Sequence, residues 1–137
     1  LILNPTEDMQ VMQEEIFGPV LPVKTYKDVS ETVDYINSKD RPLGLYYFGE
    51  DTKEKDFVLD NTTSGGVTVN DVISHITMED LPFGGVGPSG MGSYHGYDGF
   101  KEFSHAKSVY KQSWLNLNKL AGLVPPYKKK EDKIKSA

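Results

Sequence analysis

The chain has 137 residues, 37% of them hydrophobic and 26% charged, with a formal net charge of −5 and no cysteine. That length fits one domain able to bury roughly two-thirds of its unfolded surface without a disulfide or metal staple. The missing cysteines exclude disulfides, zinc-thiolate and iron–sulfur ligation, and any cysteine nucleophile within these residues.

No apolar run approaches the roughly 20 residues of a membrane span, and no basic-then-apolar leader opens the chain. Neither a span nor a secretory signal is therefore expected. Leu1 stands where an initiator Met would be, which predicts a processed chain or a piece of a longer one. Charge is uneven. Residues 128–137 hold five lysines against Glu131 and Asp132, a net of +3 that leaves −8 on residues 1–127. With Arg41 as the only arginine, that acidic body argues against nucleic acid as a partner. The basic end reads as a solvated tail rather than a membrane-surface contact.

In chain order, Leu21–Tyr26 follows Gly18-Pro19 and reads as a first strand. Asp28-Val-Ser-Glu31 has capping-box spacing, and Val29, Val33 and Ile36 recur at helical intervals, so a helix is predicted to about Ser38. Arg41-Pro42 ends it. The continuous apolar run Leu43–Phe48 predicts a strand buried on both faces. Asp51-Thr-Lys-Glu54 opens a second helix with Phe57, Val58 and Leu59 on its apolar side. Thr62–Gly66 closes it, with glycine in the usual C-terminal position. Val67–Val69 is the third strand and ends at Asn70-Asp71. This order predicts an α/β fold, a β-α-β-α-β parallel half-sheet with right-handed crossovers. Three parallel strands under two short helices are under-covered, so the half-sheet expects more protein around it.

Seven of the thirteen glycines lie between Gly84 and Gly99, which predicts a long functional loop. Phe103–Tyr110 reads as one more strand, and Trp114–Ala121 as a short helix closed by Gly122 and Pro125-Pro126. Within the loop, Gly85-Val-Gly-Pro-Ser-Gly90 matches the dinucleotide fingerprint by spacing. Glu79–Pro82 precedes it and no helix is predicted to open after it, so a turn-packing or ligand-contacting loop is favoured over phosphate binding. His75, His95 and His105 form no metal-ligand pair, and each alone reads as structural. His95, between Tyr94 and Tyr97 in the loop, is the candidate for binding. Ser89 lacks the nucleophile-elbow pattern, and Ser104 is a nucleophile only formally. Glu14-Glu15, with Phe17 close by, is read two ways. It is either a solvated acidic pair or a carboxylate gripping a vicinal diol beside a flat ring contact.

Glu14-Glu-Ile-Phe-Gly-Pro-Val20, Asn70-Asp71 and Pro82-Phe-Gly-Gly-Val-Gly-Pro-Ser-Gly-Met-Gly-Ser-Tyr-His-Gly96 together resemble the C-terminal part of an NAD(P)-dependent aldehyde dehydrogenase. Phe100-Lys-Glu-Phe-Ser-His105 and Pro125-Pro-Tyr127 are similar to the class 3 branch, which includes fatty and aromatic (coniferyl-type) aldehyde dehydrogenases. The likeness runs from Leu1 to Tyr127. It implies that Glu15 binds the nicotinamide-side ribose of NAD or NADP and that Phe17 packs near the nicotinamide. It further implies that Ile73, Ile76, Phe83 and His95 line the aldehyde pocket. By the same resemblance, residues 1–103 belong to the catalytic domain, 104–113 to a strand used in subunit pairing, and 114–137 to a C-terminal helix and basic tail.

A homodimer in the cytoplasm is the corresponding expectation, with an aldehyde as the substrate. In the family a cysteine thiolate attacks the aldehyde, hydride leaves to the nicotinamide, and activated water releases the acid. That cysteine, the general-base glutamate and the Rossmann domain lie upstream of the Glu15 motif, so no catalytic residue is assigned here. The chain by itself is expected to be inactive, and its missing N-terminal part is its first partner. A free-standing dimerisation or binding module is the alternative. A hydrolase or metal enzyme built on the Gly84–Gly99 loop is set aside on the spacings above.

Overall fold

The computed structural model describes residues 1–125, so the basic tail and Pro126-Tyr127 lie outside the described residues. It divides into two units, Leu1–Ser104 and His105–Ala137.

The first unit carries the expected β-α-β-α-β order. Strand β2 is Pro22–Val23, helix α1 Val29–Asn37, strand β3 Gly44–Tyr47, helix α2 Thr52–Asn61 and strand β4 Gly66–Val69. Both helices start where their caps place them. The Asp28 carboxylate accepts the Ser30 backbone N–H at 2.8 Å. The Asp51 carboxylate accepts from Lys53 N–H at 2.8 Å and Glu54 N–H at 3.1 Å. Glu54 does not complete a capping box. It turns inward to accept the Tyr47 hydroxyl at 3.0 Å. Burial, together with this carboxylate, pushes the Tyr47 phenol up to about 12.

The strands do not form one three-stranded sheet. β3 and β4 pair in parallel, Gly44 opposite Gly66 and Tyr47 opposite Val69. β2 pairs instead with strand β1, Ile2–Leu3, a two-residue segment too short to announce itself. Ile2 N–H donates to Leu21 O at 2.9 Å and Asn4 N–H to Val23 O at 2.6 Å. Pro22 has no N–H to donate to a ladder, which keeps β2 to two residues rather than the run to Tyr26. Glu7 ties this corner to α1, accepting from Lys24, from Lys39 at 2.5 Å and from the Tyr35 hydroxyl at 3.4 Å. Hydrogen bonds from the two lysines lower its carboxyl to about 2.

The core is small. Val33 of α1, Tyr47 of β3 and Val58 of α2 are buried together, with Val29 and Leu45 packed against them. Side chains of paired residues in a parallel ladder share a face. Leu45, Tyr47, Val67 and Val69 therefore lie on the helix side. Gly44, Tyr46, Gly66 and Thr68 lie on the other.

Three further expectations are corrected. Helix α2 ends at Thr62, whose backbone is extended, and not on a glycine. Gly65 and Gly66 are needed for close approach instead. A Cβ on Gly65 would sit 2.3 Å from Gly84 O and 2.6 Å from Leu43 O. The glycine stretch is not all loop, because it runs into helix α4, Gly96–Glu102. Between Phe103 and Tyr110 there is no strand in this chain. A strand requires a partner for its backbone, and none of the described residues supplies one.

In the second unit, the predicted helix Trp114–Ala121 shortens to one turn, α5, Leu117–Leu120. Asn116 caps its start by accepting Lys119 N–H at 2.9 Å. Gly122, at φ +68°, closes it, with Leu123 N–H donating to Asn118 O at 2.8 Å and Gly122 N–H to Lys119 O at 3.2 Å. Those two bonds make a Schellman motif.

Candidate functional site

The site begins where β4 runs out. Asn70 turns the chain at φ +55°, and its side-chain amide clasps Gly49, accepting the N–H at 2.8 Å and donating to the carbonyl at 3.1 Å. The next carboxylate, Asp71, accepts Val72 N–H at 2.8 Å and the Ser74 hydroxyl at 2.5 Å, and these bonds hold it below the usual carboxylate range. Ile73 follows at φ +66°, ψ −21°, a left-handed conformation unusual for a β-branched residue. It leads directly into the single turn of helix α3, Ser74–Thr77.

Past that turn, Phe83 and Tyr94 exchange backbone hydrogen bonds, 2.9 Å in each direction, and close the glycine loop between them. Inside this closure the chain makes one 3₁₀ turn, Gly87–Ser89. No α-helix opens on the fingerprint glycines, as their spacing and flanks predicted. The loop glycines are sites of backbone contact. A Cβ on Gly84 would lie 2.0 Å from Gly92 O, and one on Gly85 2.1 Å from Ser89 O.

Aromatic rings join these parts. Phe83 stacks on His95 at 6.1 Å and 24°, meets Tyr94 edge-on at 5.5 Å, and touches His75 at 6.1 Å. His95 sits at φ +89°, with Nδ1 3.2 Å from Leu81 O. A carbonyl only accepts, so Nδ1 carries a hydrogen, and in the neutral ring Nε2 is the acceptor.

Of the residues singled out in the sequence, Phe83 and His95 are in ring contact, Ile73 leads into the α3 turn and Ile76 lies within it. Glu15 and Phe17 lie in a stretch without regular structure before β2, both exposed. Among the described residues they share no hydrogen bond or ring contact with the Phe83 cluster. A groove of about 540 Å³ opens between Leu43, Met91, Tyr94 and Phe103. Of the four residues that the resemblance places at the aldehyde pocket, it is lined by Phe83 but not by Ile73, Ile76 or His95.

Sequence reasoning passed over His75 as structural. In the fold it is buried on the Thr68 hydroxyl, 2.6 Å from Nδ1, in direct contact with Phe83. The signal that marks it is the glycine pair Gly44 and Gly66, legible only once the strand register is known.

The fold is thus an α/β arrangement of two parallel strand pairs with an aromatic-lined turn after its last strand. Residues 1–109 match the aldehyde dehydrogenase family, and the chain belongs to it. A Caulobacter vibrioides protein named as a "Probable coniferyl aldehyde dehydrogenase" is 68% identical over 127 residues, 93% of this chain and 26% of that protein. The "dimeric NADP-preferring" aldehyde dehydrogenase of Canis lupus familiaris is 44% identical over 126 residues, 92% of this chain and 28% of its own length. Among solved structures, the substrate-bound state of Staphylococcus aureus AldH superposes with a TM-score of 0.76 at 43% identity, covering 98% of this chain and 29% of that one. The chain thus spans about a quarter of the length of the curated relatives it matches.

Proposed function

We propose that these residues form the C-terminal part of the catalytic domain of an NAD(P)-dependent aldehyde dehydrogenase that oxidises a medium-to-long or aromatic aldehyde, of the coniferyl type, to its acid. The observation that supports the reading is the stack of Phe83 on His95 beside the short turn that carries Ile76. Flat rings and branched apolar chains suit the body of an aromatic aldehyde, and the His95 Nε2 acceptor suits a hydroxyl on it.

The cofactor reading fits the residues present. Glu15 is exposed and has no side-chain hydrogen bond among the described residues, and the Phe17 ring is 97% exposed. A carboxylate with both oxygens open accepts the two hydroxyls of a ribose, and a bare ring packs beside a nicotinamide. When bound, NAD(P) supplies the hydride acceptor. The residues of this chain do the rest of what is assigned to them: Glu15 holds the ribose, Phe17 excludes water beside the ring, and the Phe83–His95 stack orients the aldehyde. No catalytic nucleophile or base is assigned to this chain.

Pairing of two copies in the cytoplasm, through residues 104–113, completes the proposal. That segment is exposed throughout, including the apolar side chains of Val109 and Tyr110. Its support is a dimeric relative and a row of unpaired backbone groups ready for a partner strand.

The test is the native size of the protein in its source cells, probed with an antibody against Gly84–Gly99, followed by aldehyde-dependent NAD(P)H production by the purified full-length protein. A band several times larger than 15.3 kDa, with activity on coniferaldehyde, is expected. The 137-residue chain alone is expected to give none. A native band near 15.3 kDa without activity refutes the reading.

A further inference from the structure

We infer that His75 is a positioning residue for the aldehyde pocket. Its anchorage on Thr68 fixes the α3 turn and thereby sets where Ile73, Ile76 and Phe83 stand. The inference rests on the aldehyde-pocket reading above, and deepens it by naming what determines substrate size.

His75 is 7% exposed, one of the few buried residues of the chain and on the face of β3–β4 away from the Val33–Tyr47–Val58 core. Its attachment is double. The backbone N–H donates to Thr68 Oγ1 at 3.2 Å, and the ring Nδ1 lies 2.6 Å from the same oxygen. Thr68 is itself buried on β4, so the hydroxyl is presented by the sheet rather than by a loop. A turn of four residues has almost no helical stability of its own. What holds α3 in place is this pair of bonds to the sheet, together with the Asp71–Ser74 contact at its start.

The slot is shaped for an imidazole. A Cβ on Gly66 would come within 2.5 Å of His75 Cδ2 and 2.9 Å of Nε2, so glycine is required beneath the ring. At Gly44 a Cβ would lie 3.7 Å from Cε1, in ordinary contact, so the glycine pair forms the floor. Tyr46 and Phe83 stand on either side at ring-centroid distances of 5.9 and 6.1 Å.

Stability alone does not explain a histidine there. Nε2 is buried and has no hydrogen-bond partner among the described residues. An orphaned polar atom is destabilising, whereas an apolar side chain of similar size fills a slot without leaving one. The bond that this ring makes and an apolar side chain does not is the one to Thr68, and the consequence of that bond is the position of the turn. Ile73 lies two residues before His75 and Ile76 one after, and Phe83 is in ring contact with it. Three of the four residues that face the aldehyde are therefore located by one anchor.

The experiment uses the full-length protein carrying these residues, with cinnamaldehyde as a large substrate and propanal as a small one. In His75→Leu, which keeps the volume and removes Nδ1, the ratio of kcat/KM for cinnamaldehyde to that for propanal falls about tenfold, chiefly through KM. His75→Asn, whose amide can take the place of Nδ1 opposite Thr68, restores most of that ratio. Thr68→Val removes the same anchor from the other side with the imidazole intact, and shows the same fall. A role in folding alone lowers both substrates together and leaves the ratio unchanged. That result in a folded His75→Leu or Thr68→Val protein overturns the inference while leaving the dehydrogenase reading in place. A wild-type full-length protein that oxidises neither aldehyde overturns both.

Discussion

Gly66→Ala tests the packing beneath His75 without removing any polar group. The backbone at Gly66 is not in the left-handed region, so alanine adopts it without strain, and loss of glycine freedom in the unfolded chain favours the variant by about 0.4–1 kcal/mol. Against that stands a methyl carbon 2.5 Å from His75 Cδ2 and 2.9 Å from Nε2. Carbon atoms make contact at about 3.5–4.0 Å, so the ring has to retreat by roughly 1 Å. It has nowhere easy to go. Thr68 holds Nδ1 at 2.6 Å, and Tyr46 and Phe83 flank the ring. Overpacking of this kind costs about 1–3 kcal/mol, which leaves a net destabilisation of up to about 2.6 kcal/mol. Urea unfolding of the full-length protein measures it as a lowered midpoint at constant m-value.

Gly18→Ala is the control, since a Cβ there meets nothing within 4 Å. His75→Ala combined with Gly66→Ala tests the cause, because removing the ring removes the clash. The double variant should be more stable than the sum of the two single effects by about 1 kcal/mol or more. Additivity of the two substitutions, or a Gly66→Ala midpoint equal to that of Gly18→Ala, refutes the packing argument.

Two further outcomes follow from the first unit. Glu7 is held at about 2, below its ordinary 4.5, by Lys24 and Lys39, so its stabilising effect is fully present above pH 4.5 and is lost as pH falls through about 2. Acid unfolding of Glu7→Gln should therefore be shallower across that window, and because the cluster is exposed the difference should shrink in high salt. Asp51→Ala removes the acceptor for Lys53 and Glu54 N–H groups at the start of α2 and should cost about 1 kcal/mol. Hydrogen exchange should localise that loss to the first turn of α2.

What the sequence disclosed follows a physical boundary. The caps Asp28 and Asp51 and the apolar spacing behind them are local, and both helices begin where those residues put them. The pairing of β3 with β4 was implied by the apolar runs, but burial on both faces was not met: Tyr46, Phe48, Val67 and Val69 are exposed, as an under-covered half-sheet leaves them. The pairing of β2 with Ile2–Leu3 was not legible, because two residues carry no period. Gly65 and Gly66 were misassigned for a related reason. A glycine at a helix end and a glycine against a distant backbone look the same in one dimension, and Gly84 O lies nineteen residues further on. Helix α3 is a single turn ahead of the glycine-rich stretch and α4 begins inside it, and Thr68 and the Phe83–Tyr94 closure supply what the local sequence lacks. Resemblance named Ile73, Ile76, Phe83 and His95, whereas the slot that holds His75 among them needs the strand register to be seen.

The backbone adds an argument about where this fold accepts cost. Among the described residues four non-glycine positions have positive φ: Asn4, Asn70, Ile73 and His95. Asparagine tolerates that region, and Asn70 is further compensated by its clasp on Gly49. Ile73 and His95 have no such excuse, and backbone outliers of this kind cost about 1–3 kcal/mol each. Both belong to the set assigned to the aldehyde, and each is bounded by a fixed contact: Ile73 by the α3 turn held on Thr68, His95 by its bond to Leu81 O and its stack on Phe83. Strain persists only where surrounding contacts over-determine it, and here the contacts are separate: the Thr68 anchor of the α3 turn for Ile73, the Leu81 bond and the Phe83 stack for His95. Removing the Phe83 ring should therefore relax His95 and leave Ile73 as it is. Phe83→Ala is the sharpest case, since its loss of packing is offset in part by release of strain at His95, and the urea midpoint reads the net effect.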